Sequence, residues 1–199
     1  MTFIKETIKA IRMMLVLWLV TAIIYPLAIL SMGEALFPFQ AQGSVMLNVD
    51  GQAQAIGSTL IGQTFTSEVY FHSRPSSIRY SEGEQASPTG ISGASNLAPS
   101  NPALLDRIVE QANQFQEENI RPLADVIYTS GSGLDPHISL RTAREQLRRV
   151  ARARGVGEDK ILPLINRYID RRFLWIFGEP GVNVLRLNYA LDLQDINRQ

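Results

Sequence analysis

The chain has 199 residues, with 19 bases matched by 19 acids, no cysteine and two histidines. That composition excludes disulfides, thiolate metal sites and a histidine-rich metal centre. Beyond Arg12 the acids outnumber the bases, which argues against nucleic acid as a partner, because that surface needs a basic patch and a high pI.

Residues 1–12 read as a short cytoplasmic stub. Met13–Gly33 follows without one charged residue: MMLVLWLVTAIIYPLAILSMG. As a helix rising ~1.5 Å per residue it runs ~31 Å, the thickness of a hydrocarbon core. Lys5, Lys9 and Arg12 precede it against Glu6 alone, whereas Glu34, Asp50 and Glu68 follow it before the next base, Arg74. An excess of Lys and Arg beside a span stays cytoplasmic. The N-terminus is therefore expected inside, and residues 34–199 outside the membrane. A cleaved signal peptide, with a small-x-small site at Gly33-Glu34-Ala35, is the alternative, but the apolar run exceeds the ~7–15 residues of a secretory core. Pro26 removes a backbone donor within the span and predicts a kink, which lipid tolerates where neighbouring protein or a local adjustment satisfies the freed carbonyl. Tyr25 and Pro26, with Thr21, are thus candidates for packing against other spans.

Residues 34–199 suffice for one domain with its own core. The pattern predicts an α+β protein: one N-terminal transmembrane helix followed by a single mixed α/β extracytoplasmic domain. Phe37-Pro38-Phe39 suits the membrane interface. Val45–Asp50 reads as a strand ending in an Asp50-Gly51 turn. Ile56–Phe65 reads as strand or strand-turn-strand, with Gly57 and Gly62 marking bulges or close backbone approaches. Val69–Phe71 reads as another strand. Residues 72–100, rich in Ser, Gly and Pro, read as a partner-binding loop in which Arg74, Ile78, Tyr80 and Leu97 have something to pack.

Asn101-Pro102 supplies a cap and a first-turn proline. The helix it opens carries Leu104, Leu105, Ile108, Val109, Ala112 and Phe115 at helical spacing and ends by Arg121-Pro122. Ala124–Thr129 reads as a buried strand, and Ser130-Gly131-Ser132-Gly133 as a turn ahead of a cap at Ser139. The helix Ser139–Arg154 sets Leu140, Ala143, Leu147, Val150 and Ala151 on one face. Its arginines, Arg141, Arg144, Arg148, Arg149, Arg152 and Arg154, read as a solvated face or as a dock for an acidic partner or lipid head groups. Glu158–Arg172 predicts a further helix with Pro163 near its first turns. The apolar runs Ile161–Ile165 and Phe173–Phe177 are assigned to the core. After a Gly178-Glu179-Pro180-Gly181 turn, Val182–Leu193 alternates as a half-buried strand, although a closing helical turn from Tyr189 fits equally.

Three arrangements invite a chemical reading. Asp135, His137 and Ser139 include a base, an orienter and a nucleophile, but their i, i+2 spacing does not build a linear relay. Gly90-Ile91-Ser92-Gly93 does not make a nucleophile elbow. Ser130–Gly133 before a helix suits a phosphate but lacks the lysine of a phosphate-binding loop. His72 beside Arg74 suits an anion or is plain solvated surface. No catalytic residue and no metal ligand is assigned. The residues describe an anchored domain that holds or modulates a membrane partner. A membrane-anchored binding or sensor module unrelated to transport and an anchored hydrolase using His137 are the alternatives.

A series of short motifs carries a family resemblance. They are Tyr25-Pro26-Leu27, Gln42-Gly43-Ser44, Ile56-Gly57-Ser58, Leu60-Ile61-Gly62-Gln63, Tyr70-Phe71-His72 with Arg74-Pro75-Ser76, and Ser92-Gly93-Ala94-Ser95-Asn96-Leu97. Ser130-Gly131-Ser132-Gly133-Leu134-Asp135, Arg149-Val150-Ala151 and Val182-Asn183-Val184-Leu185 continue it. In order and spacing the chain resembles the KdpC family, the C subunits of bacterial potassium-transporting Kdp ATPases, departing at Leu140, where proline is expected. The resemblance implies a single-span inner-membrane subunit of a high-affinity potassium importer. Its implied partners are a channel-like potassium-translocating subunit, a P-type ATPase subunit and a small single-span peptide, beside membrane lipid. It implies no intrinsic cofactor, ATP being bound through the ATPase partner. It also implies a role in assembly and as a catalytic chaperone that raises the partner's ATP affinity, with Gln146 as the nucleotide-binding residue. The charge asymmetry places Gln146 outside, where ATP is scarce. Either the topology is reversed or the effect on ATP affinity is indirect.

Overall fold

The computed structural model describes residues 2–48, 55–78, 92–118 and 120–196. The Asp50-Gly51 turn, Tyr80 and Gly90-Ile91 lie outside the described residues. The chain forms two compact units, Met1–Ser58 and Thr59–Gln199.

The first unit is a helical rod followed by a small hairpin. Helix α1 (Thr2–Leu19) passes through a π turn (Val20–Ile24) into α2 (Tyr25–Leu36). The helix long and apolar enough to cross a membrane extends from Phe3 to Leu36, 34 residues, and none of its most apolar window is buried. A helix that is apolar all round and uncovered by protein suits lipid as its solvent. The kink predicted from Pro26 takes the form of the π turn. Pro26 has no N–H to return to Ala22 and its ring crowds that carbonyl. The turn before it widens, and the Tyr25 N–H bonds the Val20 carbonyl five residues back, an adjustment that keeps backbone groups paired. Thr21 returns its hydroxyl to the Leu17 carbonyl at 2.7 Å, while Tyr25 is 63% exposed. A one-turn α3 (Pro38–Ala41) leads to β1 (Val45–Leu47), which pairs antiparallel with β2 (Ala55–Ser58). The register shifts between Met46 and Leu47, beside Gly57, so the bulge predicted at that glycine is present. The predicted continuation of this strand to Phe65 does not form; residues 59–65 are turns and irregular backbone.

The second unit contains α4 (Pro102–Glu117), α5 (Ala124–Ile127), β3 (His137–Ile138), α6 (Leu140–Ala153), α7 (Glu158–Arg167), β4 (Ile169–Asp170), β5 (Gly181–Asn183) and α8 (Val184–Ile196). The caps form where the sequence places them. Asn101 Oδ1 accepts the Ala103 N–H at 3.0 Å, and Ser139 Oγ accepts the Thr142 N–H at 3.1 Å. The sheet is antiparallel with β5 central, between β3 and β4, and Val182 faces both Ile138 and Ile169. α6 packs on α7 and α7 on α8. The main core gathers Ala143 and Val150 of α6, Ile161 and Ile165 of α7, Val182, and Leu187 and Leu191 of α8. A smaller cluster joins Phe115, Ile120 and Val126. Gly62 confirms the close approach expected of it: a Cβ there would lie 2.7 Å from the Asp135 carbonyl oxygen, and its N–H bonds the Leu134 carbonyl at 2.8 Å.

Several sequence expectations are corrected. Ala124–Thr129 is not a strand but the single turn α5, because Asp125 is needed at the start of α6, where its carboxylate accepts the Ser139 N–H at 2.7 Å. The helix predicted to Arg172 stops at Arg167, since Ile169 pairs with Val182 in the sheet. Val182–Leu193 is strand only to Asn183, then helix. Val184, Leu187, Asn188 and Leu191 are all buried and share a 3.6-residue period, and the Asn183 side chain caps the turn by accepting the Arg186 N–H at 3.1 Å. On α4, Phe115 is buried whereas Leu105 and Val109 remain exposed.

The largest correction is Phe173–Phe177. The sequence assigns it to the core; the structure exposes it, with Phe173 at 71%, Trp175 at 81% and Ile176 at 73%. β4 and β5 pair directly, so the connection between them projects past the end of the sheet. Phe173 and Phe177 exchange both backbone bonds, at 2.8 and 2.9 Å. Leu174 and Trp175 between them have φ of 50° and 66°, a left-handed conformation that costs a non-glycine residue about 1 kcal/mol or more.

Candidate functional site

Backbone N–H and C=O groups must find partners. The predicted strand Val69–Phe71 is absent: Glu68 and Val69 lie in a turn, with the Tyr70 N–H on the Ser67 carbonyl at 3.1 Å, and the carbonyls of Glu68–His72 find partners in side chains of α6, its C-cap residue and α8. Arg149 donates to the Glu68 carbonyl at 2.7 Å and the Tyr70 carbonyl at 2.9 Å. Arg154 Nε donates to the Val69 carbonyl at 2.6 Å. Asn188 accepts the Phe71 N–H at 2.8 Å and donates to the Phe71 carbonyl at 3.0 Å. Gln146 does the same for His72, at 2.7 and 3.1 Å. A carboxamide offers one donor beside one acceptor, as a neighbouring strand would. Glu68–His72 is therefore a strap clasped to the helices by every carbonyl it has.

Charge reinforces the clasp. Arg154 pairs with Asp192 at 2.9 Å and Asp195 at 2.6 Å, and its guanidinium lies 5.0 Å from the centre of the Tyr70 ring. Arg149 Nε sits 3.1 Å from Glu118 Oε2, in ionic contact but not aligned as a hydrogen bond. Burial pushes the Arg149 guanidinium down and the Glu118 carboxyl up, and each opposes the shift of the other. Burial, then the Arg149 charge, pushes His72 down to about 4, so the imidazole is neutral, edge-on to Phe115. Beside it opens a cavity of about 520 Å³ lined by Thr64, Phe65, Arg74, Gln111 and Phe115.

The strap runs on into a second cluster. Arg74 pairs with Asp135 at 2.8 Å. Asp135 lies 3.4 Å from His137 Nδ1, and Asp170 lies 2.9 Å from Nε2; Arg186 holds Asp170 at 3.1 Å. Burial pushes the Asp135 carboxyl up, but hydrogen bonds from His137 and Arg74 outweigh it and hold it at about 2. The bond to Asp135 raises His137 against its burial, and Asp170 adds to the rise. A ring with a carboxylate at each nitrogen has no nitrogen left to take a serine proton, and Ser139 Oγ donates to Thr142 Oγ1 at 3.1 Å. The Asp135, His137, Ser139 relay is not built. Nor is the Ser130–Gly133 turn an open cradle: a Cβ on Gly133, at φ +72°, would lie 2.5 Å from the Gly93 carbonyl oxygen, so the turn closes on its own chain. Among the described residues no group of three or more potential ligands could hold a metal.

The residues singled out in the sequence fall in three places. Gln146 is fully buried under the strap. Arg141, Arg144, Arg148 and Arg152 form one exposed stripe along α6, whereas Arg149 and Arg154 turn inward. Tyr25 and Pro26 belong to the other unit. The sequence reading missed Asn188; its one signal is a polar residue on the face that holds Val184 and Leu191.

Residues 7–193 match the family described as KdpC: K+-transporting ATPase, c chain. Over 199 residues the chain is 70% identical to the "Potassium-transporting ATPase KdpC subunit 2" of a Nostoc species, covering 100% of this chain and 99% of that protein. It is 55% identical over 189 residues to the KdpC subunit of a Synechocystis species, covering 95% and 98% of the two chains. To the KdpC subunit of Rhodopseudomonas palustris it is 41% identical over 198 residues, again covering 95% and 98%.

Proposed function

The chain belongs to the KdpC family, and from that premise we propose that it is the non-catalytic accessory subunit of a high-affinity, ATP-driven potassium import complex. It assembles and stabilises the complex, and as a catalytic chaperone it raises the ATP affinity of the P-type ATPase subunit. Its partners are that subunit, a channel-like potassium-translocating subunit and a small single-span peptide. The Phe3–Leu36 helix holds it in the inner membrane as a single pass, and the Lys and Arg before the span favour an inside N-terminus and an outside domain.

The state of Gln146 supports an indirect effect on nucleotide affinity. Its amide is fully buried and bonded at both ends to His72. A nucleotide bound there would leave two buried backbone groups unpaired, at about 1–3 kcal/mol each. Gln146 is read as a positioning residue for the strap, and coupling to ATP runs through the membrane subunits. The exposed Arg141, Arg144, Arg148 and Arg152 stripe is the surface offered to an acidic face of a partner.

Purification of the tagged full chain in mild detergent tests this reading. It should bring down two large membrane proteins, and Arg148→Glu with Arg152→Glu should reduce their yield without reducing that of the chain. Recovery as a free monomer would overturn the proposal. Protease added to intact spheroplasts should digest the domain; digestion from the cytoplasmic face alone would reverse the topology and reopen direct contact with ATP.

A further inference from the structure

The Phe173–Phe177 tip has no role in the clasp or in the charge clusters. Five consecutive apolar side chains stand 61–81% exposed. The backbone beneath them is fixed rather than loose: besides the Phe173–Phe177 pair, the Trp175 N–H bonds the Arg172 carbonyl and the Ile176 N–H bonds the Phe173 carbonyl, both at 3.2 Å. Two of the five residues are held left-handed without being glycine. Strain kept where it exposes apolar surface to water points to a surface that is covered in use.

We propose that this tip seats in the interfacial layer of a lipid bilayer, with Arg171 meeting anionic head groups. Three observations select lipid as the occupant. The residue types are those of a membrane interface, with a tryptophan at the apex between two phenylalanines. The charges beside the tip are sorted: Asp170 is taken by Arg186 and His137, and Glu179 by Arg172 at 3.0 Å. Arg171 is left exposed at the base of the tip, where a phosphate head group would complement it. The same chain carries a membrane anchor, so a bilayer is always within its tether and even weak insertion is favoured by high effective concentration. The proposal rests on the Phe3–Leu36 helix being that anchor, and not on the identity of the pump partners.

The chain has two tryptophans, Trp18 in the apolar helix and Trp175 at the tip. Full-length protein carrying Trp18→Phe is reconstituted into vesicles of phosphatidylcholine and phosphatidylglycerol containing brominated lipid, and Trp175 emission is recorded. Emission should shift to the blue and fall by about twofold or more with bromines placed near the head groups, less with bromines at mid-chain, as for an interfacial residue. Arg171→Glu should weaken the quenching in phosphatidylglycerol-rich vesicles. Emission at the position of tryptophan in water, quenched by aqueous iodide and not by bromolipid, would overturn the proposal. So would protection that arises only when the other pump subunits are present, which would assign the tip to a protein partner. Flotation of the same vesicles separates the two claims: protein that does not float has no anchor, whereas protein that floats with an aqueous Trp175 has an anchor and no lipid-seated tip.

Discussion

A buried carboxamide is costly unless both of its ends are bonded, and Gln146 and Asn188 bond both. Gln146→Ala leaves the His72 N–H and carbonyl buried without partners, so a loss of about 2–6 kcal/mol is expected. Denaturant unfolding of the full chain in detergent measures it, and a loss below about 0.5 kcal/mol would contradict the clasp. Because Phe71 and His72 are adjacent, Asn188→Ala combined with Gln146→Ala should cost less than the sum of the two. The two histidines should titrate apart. His72 falls to about 4; it contributes stability that is present above its unfolded value of about 6.5 and is lost as pH falls toward 4. His137 is raised; its contribution is full below about 6.5 and is lost as pH rises through its folded value. Proton NMR of the imidazole signals should show one midpoint near 4 and one above 6.5. Two midpoints at the ordinary value would contradict both sites. Little of this was legible in the sequence: His72 beside Arg74 looks like solvated surface, because the groups that bury it lie tens of residues away in the chain.

Local rules located the helices well and the extended segments poorly. Asn101, Ser139 and the spacing on α6 announce helices through caps and period, which depend on near neighbours. Val182–Leu193 carries both periods at once; the strand reading places Asn188 outside, whereas the helix buries it against Phe71. Phe173–Phe177 reads as core because an apolar run does not reveal that it lies at a hairpin tip. The arginines of α6 also look alike in sequence, and only the fold separates them. Arg154 is 5% exposed at its side chain and bonds Val69, Asp192 and Asp195. Arg154→Ala should cost about 2–3 kcal/mol, whereas Arg152→Ala should stay within about 0.5 kcal/mol. Thermal melts of the two variants check this, and equal losses would mean that the inward turn of Arg154 is not used.

At the scale of the molecule, the long apolar helix was the most legible feature, because a charge-free run that matches hydrocarbon thickness stands out from the rest of the sequence. The π turn before Pro26 was foreshadowed only as a kink; how a helix recovers the lost bond depends on backbone geometry, not on composition. The chain divides into a unit that carries the long apolar helix and a unit in which the strap is clasped. The potassium-stimulated ATP hydrolysis of membranes that contain the other pump subunits is the direct test. Without this chain that activity should be lost. Supplying the wild-type chain should restore it, and supplying the Gln146→Ala variant should restore it only as far as the variant folds. Full activity without the chain would contradict the account.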